Sequence, residues 1–195
     1  MMLRSIALAA LAATSIGAQA ALTTFAPWAA YWPQGTIGVG IDDVFFNVQS
    51  TERVTVALGA HRRTEGADMP NNGVDTFYGS AGFSPDPSAP TYARWNFDFM
   101  VVLGTAGCNG CLTELLIDSD PTAGVTLVSL GTSATANGAA SWNMEMPFLS
   151  GFNFNPLAQS STAFRLRVLD AAGGVVALSD ITVNVPEPGS LALAG

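Results

Sequence analysis

The chain has 195 residues with 15 acidic and seven basic side chains, a formal charge of −8, and every basic residue is arginine. That length fits a single core, because cores divide only beyond about 250 residues, and the acidic balance excludes nucleic acid as a natural partner, since phosphate binding needs a basic face. A 49% hydrophobic and 11% charged composition excludes a solvated disordered chain, 20 Gly and 11 Pro favour a turn-rich β fold, and one His with two Cys leaves too few ligands for a multi-ligand zinc or iron–sulfur site.

Taken in chain order, the first element is a secretory signal over residues 1–20. Arg4 supplies the positive start, residues 5–17 a short Ala-rich apolar stretch, and Ala18-Gln19-Ala20 the small residues that signal peptidase requires, so that Ala21 becomes the new N-terminus. The apolar stretch is shorter than the ~20 residues of a membrane span. Trp28, Tyr31, Trp32 and Pro33 then form an aromatic cluster that suits either a sugar face or core packing. Strands are expected at residues 37–39 and 44–48, flanking the acidic pair Asp42-Asp43.

Residues 54–58 alternate as a strand, and His61-Arg62-Arg63 follows it. A lone histidine suits a general base of a Ser-His-Asp set. No G-x-S-x-G elbow accompanies it, so it reads as an exposed loop histidine beside two solvated arginines. The long polar loop over residues 60–80 is the first place to look for function. Turn-rich segments follow at 71–73 and 84–90. Residues 94–101 then place Trp95, Phe97, Phe99 and Val101 on one strand face and Arg94, Asn96 and Asp98 on the other, the pattern of a half-buried antiparallel strand.

Cys108-Asn109-Gly110-Cys111 puts two cysteines around a dipeptide favoured in tight hairpin turns. In an exported chain this predicts a Cys108–Cys111 disulfide across the turn. The redox alternative needs a helix N-terminus after the motif, and a strand follows instead. Strands are expected at 112–117 and 125–130. Between them Asp118-Ser119-Asp120 makes Asp118 and Asp120 the calcium candidates, without the Gly and closing Glu of a twelve-residue calcium loop. Trp142, Met144 and Met146 alternate with Asn143 and Glu145 as a further strand. A C-terminal hairpin places Phe164, Leu166 and Val168 on one face and turns at residues 170–174. It returns through residues 175–178 to Ile181, Val183 and Val185.

The last strand runs into Val185-Pro186-Glu187-Pro188-Gly189-Ser190, followed by Leu191-Ala192-Leu193-Ala194-Gly195. The two prolines end any strand, because neither donates to a β ladder. Here the chain resembles the PEP-CTERM proteins of Gram-negative bacteria, in which V-P-E-P-G-[ST] opens a C-terminal sorting signal, followed by an apolar helix and an Arg-rich end. The β-rich body is also similar to some PEP-CTERM ectodomains over residues 89–103 and 115–120 and in the C-terminal hairpin. The resemblance implies export, membrane tethering of the precursor and processing by an exosortase. It covers residues 185–195 as the start of the signal only, and the family pattern leads one to expect the rest of the helix and the basic end to follow.

These readings converge on a single-domain, all-β antiparallel sandwich of immunoglobulin/fibronectin-like or jelly-roll-like kind over residues 21–184. The functional expectation is an exported, non-enzymatic binding or structural protein of the cell surface or extracellular matrix. Its expected partners are signal peptidase, an exosortase and a polysaccharide or surface ligand, with no cofactor beyond the calcium candidates. Two rivals are a secreted hydrolase using loop carboxylates and an ice- or surface-adsorbing protein, although the threonines lack the regular period that such adsorption needs.

Overall fold

The computed structural model describes residues 22–27, 44–64, 69–120, 122, 124–152 and 154–187. The signal-peptide positions Ala18, Ala20 and Ala21 lie outside these residues. So do the aromatic cluster at 28–33, the expected strand at 37–39, Asp42-Asp43, and Pro188, Gly189 and Ser190.

The described chain is an all-β sandwich of two five-stranded sheets. Sheet A has the order β1 (Leu22–Pro27), β2 (Phe45–Ser50), β3 (Val54–Arg62), β5 (Trp95–Leu103) and β8 (Gly138–Trp142). Sheet B has the order β4 (Thr76–Tyr78), β10 (Val175–Val185), β9 (Ser160–Leu169), β6 (Leu112–Asp118) and β7 (Leu127–Ala134). Every pair is antiparallel except β4–β10, which is parallel, so the second sheet is mixed where a purely antiparallel one was expected. This edge strand follows a turn that Asn72 organises: its Oδ1 accepts hydrogen bonds from the amides of Val74, Asp75 and Thr76.

The core lies between the sheets. Alternation along β3 and β5 sends Val54, Val56, Leu58 and Ala60 inward to meet Trp95, Phe97 and Val101. From sheet B, β9 contributes Phe164, Leu166 and Val168, and β10 contributes Ile181 and Val183. The rings interlock at the centre. Phe97 stacks on Phe164 with centroids 4.4 Å apart, Trp95 meets Phe164 edge-on at 6.2 Å, and Phe99 meets Trp142 at 4.6 Å.

The two outward faces differ. On sheet B the outer face is polar, and cross-strand ion pairs lace it: Arg165 to Asp180 with two bonds of 2.7 and 3.0 Å, and Arg167 to Glu114 at 2.6 Å. On sheet A the outer face carries a second buried apolar cluster of Val44, Phe46, Val48, Ala57 and Met100. Gly59 is required there. A Cβ at this position would meet the Phe45 carbonyl oxygen at 2.6 Å and the Phe46 ring at 3.0 Å, because Phe46 lies directly across from Gly59. Asn96 and Asp98 are therefore buried, which corrects their assignment to a solvent face. Strand β5 is packed on both sides, and its buried polar residues find partners on neighbouring segments: Asp98 meets His61 of β3, and Asn96 donates to Ser141 of β8 and accepts from Asn143.

Two further expectations change. Residues 143–146 are a turn leading into a 3-10 helix (Pro147–Phe152), not a strand. The buried Asn143 ends β8 by turning its side chain on the backbone. Its Nδ2 donates to the carbonyls of Ala93 and Trp95, and its Oδ1 accepts from Ala93 N and Glu145 N. The Asn109-Gly110 turn does not join two strands of one hairpin. It lies in the crossover from β5 in sheet A to β6 in sheet B.

Candidate functional site

At one end of the sandwich lies an open cleft of about 1140 Å³. The ends of several strands meet there. Arg62 closes β3, Tyr78 closes β4, Gln159 to Ser161 open β9, and Asn184 to Pro186 close β10. Pro70, Gly79 and Ser80 line it from the segment around β4, and Thr122 from the connection between β6 and β7. The long segment after residue 60 thus contributes an arginine, a tyrosine and a hydroxyl to this end of the molecule.

The chemistry of the lining is distinctive. Arg62 is the one charged residue among the described residues that line the cleft, and none of them is acidic, on a chain whose net charge is −8. Arg62 continues the inward row of β3 and pairs in register with Trp95, so its stem starts beside the core and its guanidinium is the part free to reach the cleft. Tyr78 is 46% exposed. Gln159, Ser161 and Asn184 add amide and hydroxyl groups. Ser160 is 5% exposed, and its Oγ is buried without a hydrogen-bond partner; the next inward hydroxyl of β9, Thr162 Oγ1, is also unpartnered. Unsatisfied buried hydroxyls are costly and uncommon, and these two lie on the inward row of β9 that Phe164 continues.

His61 faces the other way. It is a residue of β3, 5% exposed, with Nδ1 2.6 Å from Asp98 Oδ2, which corrects its reading as an exposed loop histidine. Asp98 is fully buried and its other oxygen has no hydrogen-bond partner. Burial pushes its carboxyl above the ordinary range, against the opposing pull of His61 and a weaker one from Ser141. Ser141 lies across from Asp98 in the sheet and takes a hydrogen bond from Asn96 Nδ2. The serine thus sits on the carboxylate side of the pair, whereas a Ser-His-Asp set needs it at the far nitrogen of the imidazole. These groups tie β3, β5 and β8 together on the outer face of sheet A, away from the cleft.

Arg63 has its own partners: Asp86 at 3.3 Å and the Tyr92 ring, 4.8 Å from the guanidinium carbon to the centroid. The arginine pair of the sequence is therefore split, with Arg62 on the cleft and Arg63 holding the 84–92 loop.

Cys108 and Cys111 are joined by a disulfide. Both sulfurs belong to the main core cluster, and Arg53 Nη2 donates to Cys111 Sγ at 3.3 Å. In each calcium candidate one carboxylate oxygen is taken by backbone amides, and the other oxygen of Asp118 is buried without a hydrogen-bond partner. Asp118 is 2% exposed and its Oδ1 accepts from Asp120 N and Thr126 N, at 3.0 and 2.7 Å. Asp120 Oδ1 accepts from Thr122 N, and the hydrogen bonds from Thr122 hold its carboxyl below the usual range. Both acids shape the β6–β7 turn. Among the described residues no three His, Cys, Asp or Glu side chains converge as metal ligands.

Val185 is the last residue of β10, buried in the core, with Pro186 half-buried on the cleft and Glu187 exposed beyond it. The chain thus leaves the sandwich at the rim of the cleft. Comparison with protein-family models, curated proteins and solved structures finds no match.

Proposed function

We propose that this protein is exported and acts without catalysis, as a binding or structural component of the bacterial cell surface or extracellular matrix, sorted by the motif that starts at Val185. The observation that carries the reading is the junction at the end of β10. The core strand stops at Val185, and a proline follows that cannot extend the ladder. Glu187 stands exposed immediately outside the folded domain. A processing enzyme needs an accessible peptide whose recognition leaves the fold intact, and a motif that begins on the last residue of β10 and continues through the half-buried Pro186 to the exposed Glu187 supports that reading. The A-x-A sequence at residues 18–20 supports export by the general secretory route. The buried disulfide suits an oxidising compartment.

The test is expression of the full reading frame in a Gram-negative host with and without an exosortase, with Glu187 intact or changed to Ala. Fractionation should show exosortase-dependent release or transfer that Glu187→Ala abolishes. Identical handling of all four samples would sink the sorting reading.

A further inference from the structure

We propose that the cleft at the β3–β4–β9–β10 end of the sandwich is a binding site for an acidic saccharide, with Arg62 taking a sugar carboxylate and Tyr78 stacking on the face of the ring. The argument starts from charge. A chain at −8 repels anions over most of its surface. This cleft reverses that locally, since its described lining has one guanidinium and no carboxylate. A guanidinium is the side chain best matched to a carboxylate, because its paired N–H groups meet both oxygens.

The remaining groups select a polyol over a simple anion. Tyr78 leaves nearly half its surface in solvent at the cleft wall, and a flat, amphipathic ring suits the C–H face of a pyranose. Gln159, Ser161 and Asn184 both donate and accept, as a row of sugar hydroxyls demands. The volume of about 1140 Å³ is somewhat larger than the ~300–1,000 Å³ typical of ligand sites. The cleft is open, so a polymer can pass through it. The choice of a saccharide polymer rests on the surface or matrix reading above; the placement of the site rests on the lining alone.

The experiment is calorimetric titration of the full chain with a defined oligouronate, its carboxyl-reduced neutral counterpart and an acidic peptide of matched charge. The oligouronate should bind, and its affinity should fall as salt rises, because one exposed charge pair is screened. The neutral oligomer should bind about tenfold or more weakly, since a charge-assisted hydrogen bond is lost. Arg62→Ala should bring the oligouronate down to the neutral level, Arg62→Lys should fall between, and Tyr78→Ala should weaken both sugars while Tyr78→Phe retains them. Thermal melts of each variant confirm that the fold persists. Absence of oligouronate binding, equal binding by folded Arg62→Ala, or a preference for the acidic peptide would each overturn the assignment. These readouts are made on purified protein, so they fail or succeed independently of the exosortase experiment.

Discussion

Asp98 is the most demanding single residue in the molecule. One of its oxygens meets His61 and the other has no hydrogen-bond partner, at a position with no exposed surface. In the native state its carboxyl keeps its proton to higher pH than an ordinary aspartate does, chiefly because burial penalises the charge. The unfolded chain releases that proton near 3.8. Between the two values the native state binds more protons, so this group's contribution is fully present below 3.8 and is lost as pH rises through the raised native value. Asp86, Glu114 and Asp120 are shifted the opposite way. The difference between wild type and Asp98→Asn therefore isolates the contribution of this carboxyl. Urea midpoints measured upward from about pH 3.5 should show a falling contribution in the wild type that the Asn variant lacks; parallel curves would contradict it.

Phe97 makes a simpler case. It is fully buried and touches Phe99, Trp142 and Phe164. Phe97→Ala should cost about 3–5 kcal/mol in chemical denaturation, the range for deleting a core aromatic. A near-neutral result would mean that the inward face of β5 is not the core.

At the scale of elements, the strands that alternate cleanly were the legible ones. Residues 54–58, 94–101 and the 160–185 hairpin carry their inward residues in steps of two, and the sandwich places those residues inward. The sequence does not signal that sheet A is buried on its outer side as well. His61, Asn96, Asp98 and Ser141 look like a solvated polar stripe, and only their register brings them together as partners. Strand β1 abuts the expected cleavage site, and β4 has three residues, too few for a period to show. Asn143 shows the converse: Met144 and Met146 kept the alternation going past a residue that had already ended the strand by binding the backbone.

The edge strand β7 carries a prediction of its own. From Leu127 to Ala134 it has no charge, seven of its eight residues are exposed, and Val128 and Leu130 are 43% and 38% accessible. No charged residue occurs between Asp120 and Glu145. Such an edge is a template for pairing with another chain. Val128→Lys should lower concentration-dependent association in light scattering with little change in melting temperature, because exposed sites tolerate substitution. Unchanged association would place any self-contact elsewhere.

At the scale of the whole molecule, two sheets of opposite outer character enclose one aromatic core, and the chain leaves at the end that holds the cleft. The single-domain β-sandwich was legible from periodicity and turns. The cleft was legible only in part. The segment after residue 60 stood out by its length, but Tyr78, Gln159, Ser160 and Asn184 are far apart in sequence. They meet because β4, β9 and β10 end at one level, a fact of register that no local motif records. The Cys108–Cys111 pairing needed only spacing; its burial needed the fold.

The central claim is that this domain reaches the outside of the cell as a processed, surface-acting protein. N-terminal sequencing of the protein recovered from the envelope and matrix fractions of an expressing Gram-negative host tests it most directly. The expected result is a new N-terminus at Ala21, on protein that external protease removes from intact cells. Protein confined to the cytoplasm with Met1 still in place would contradict it.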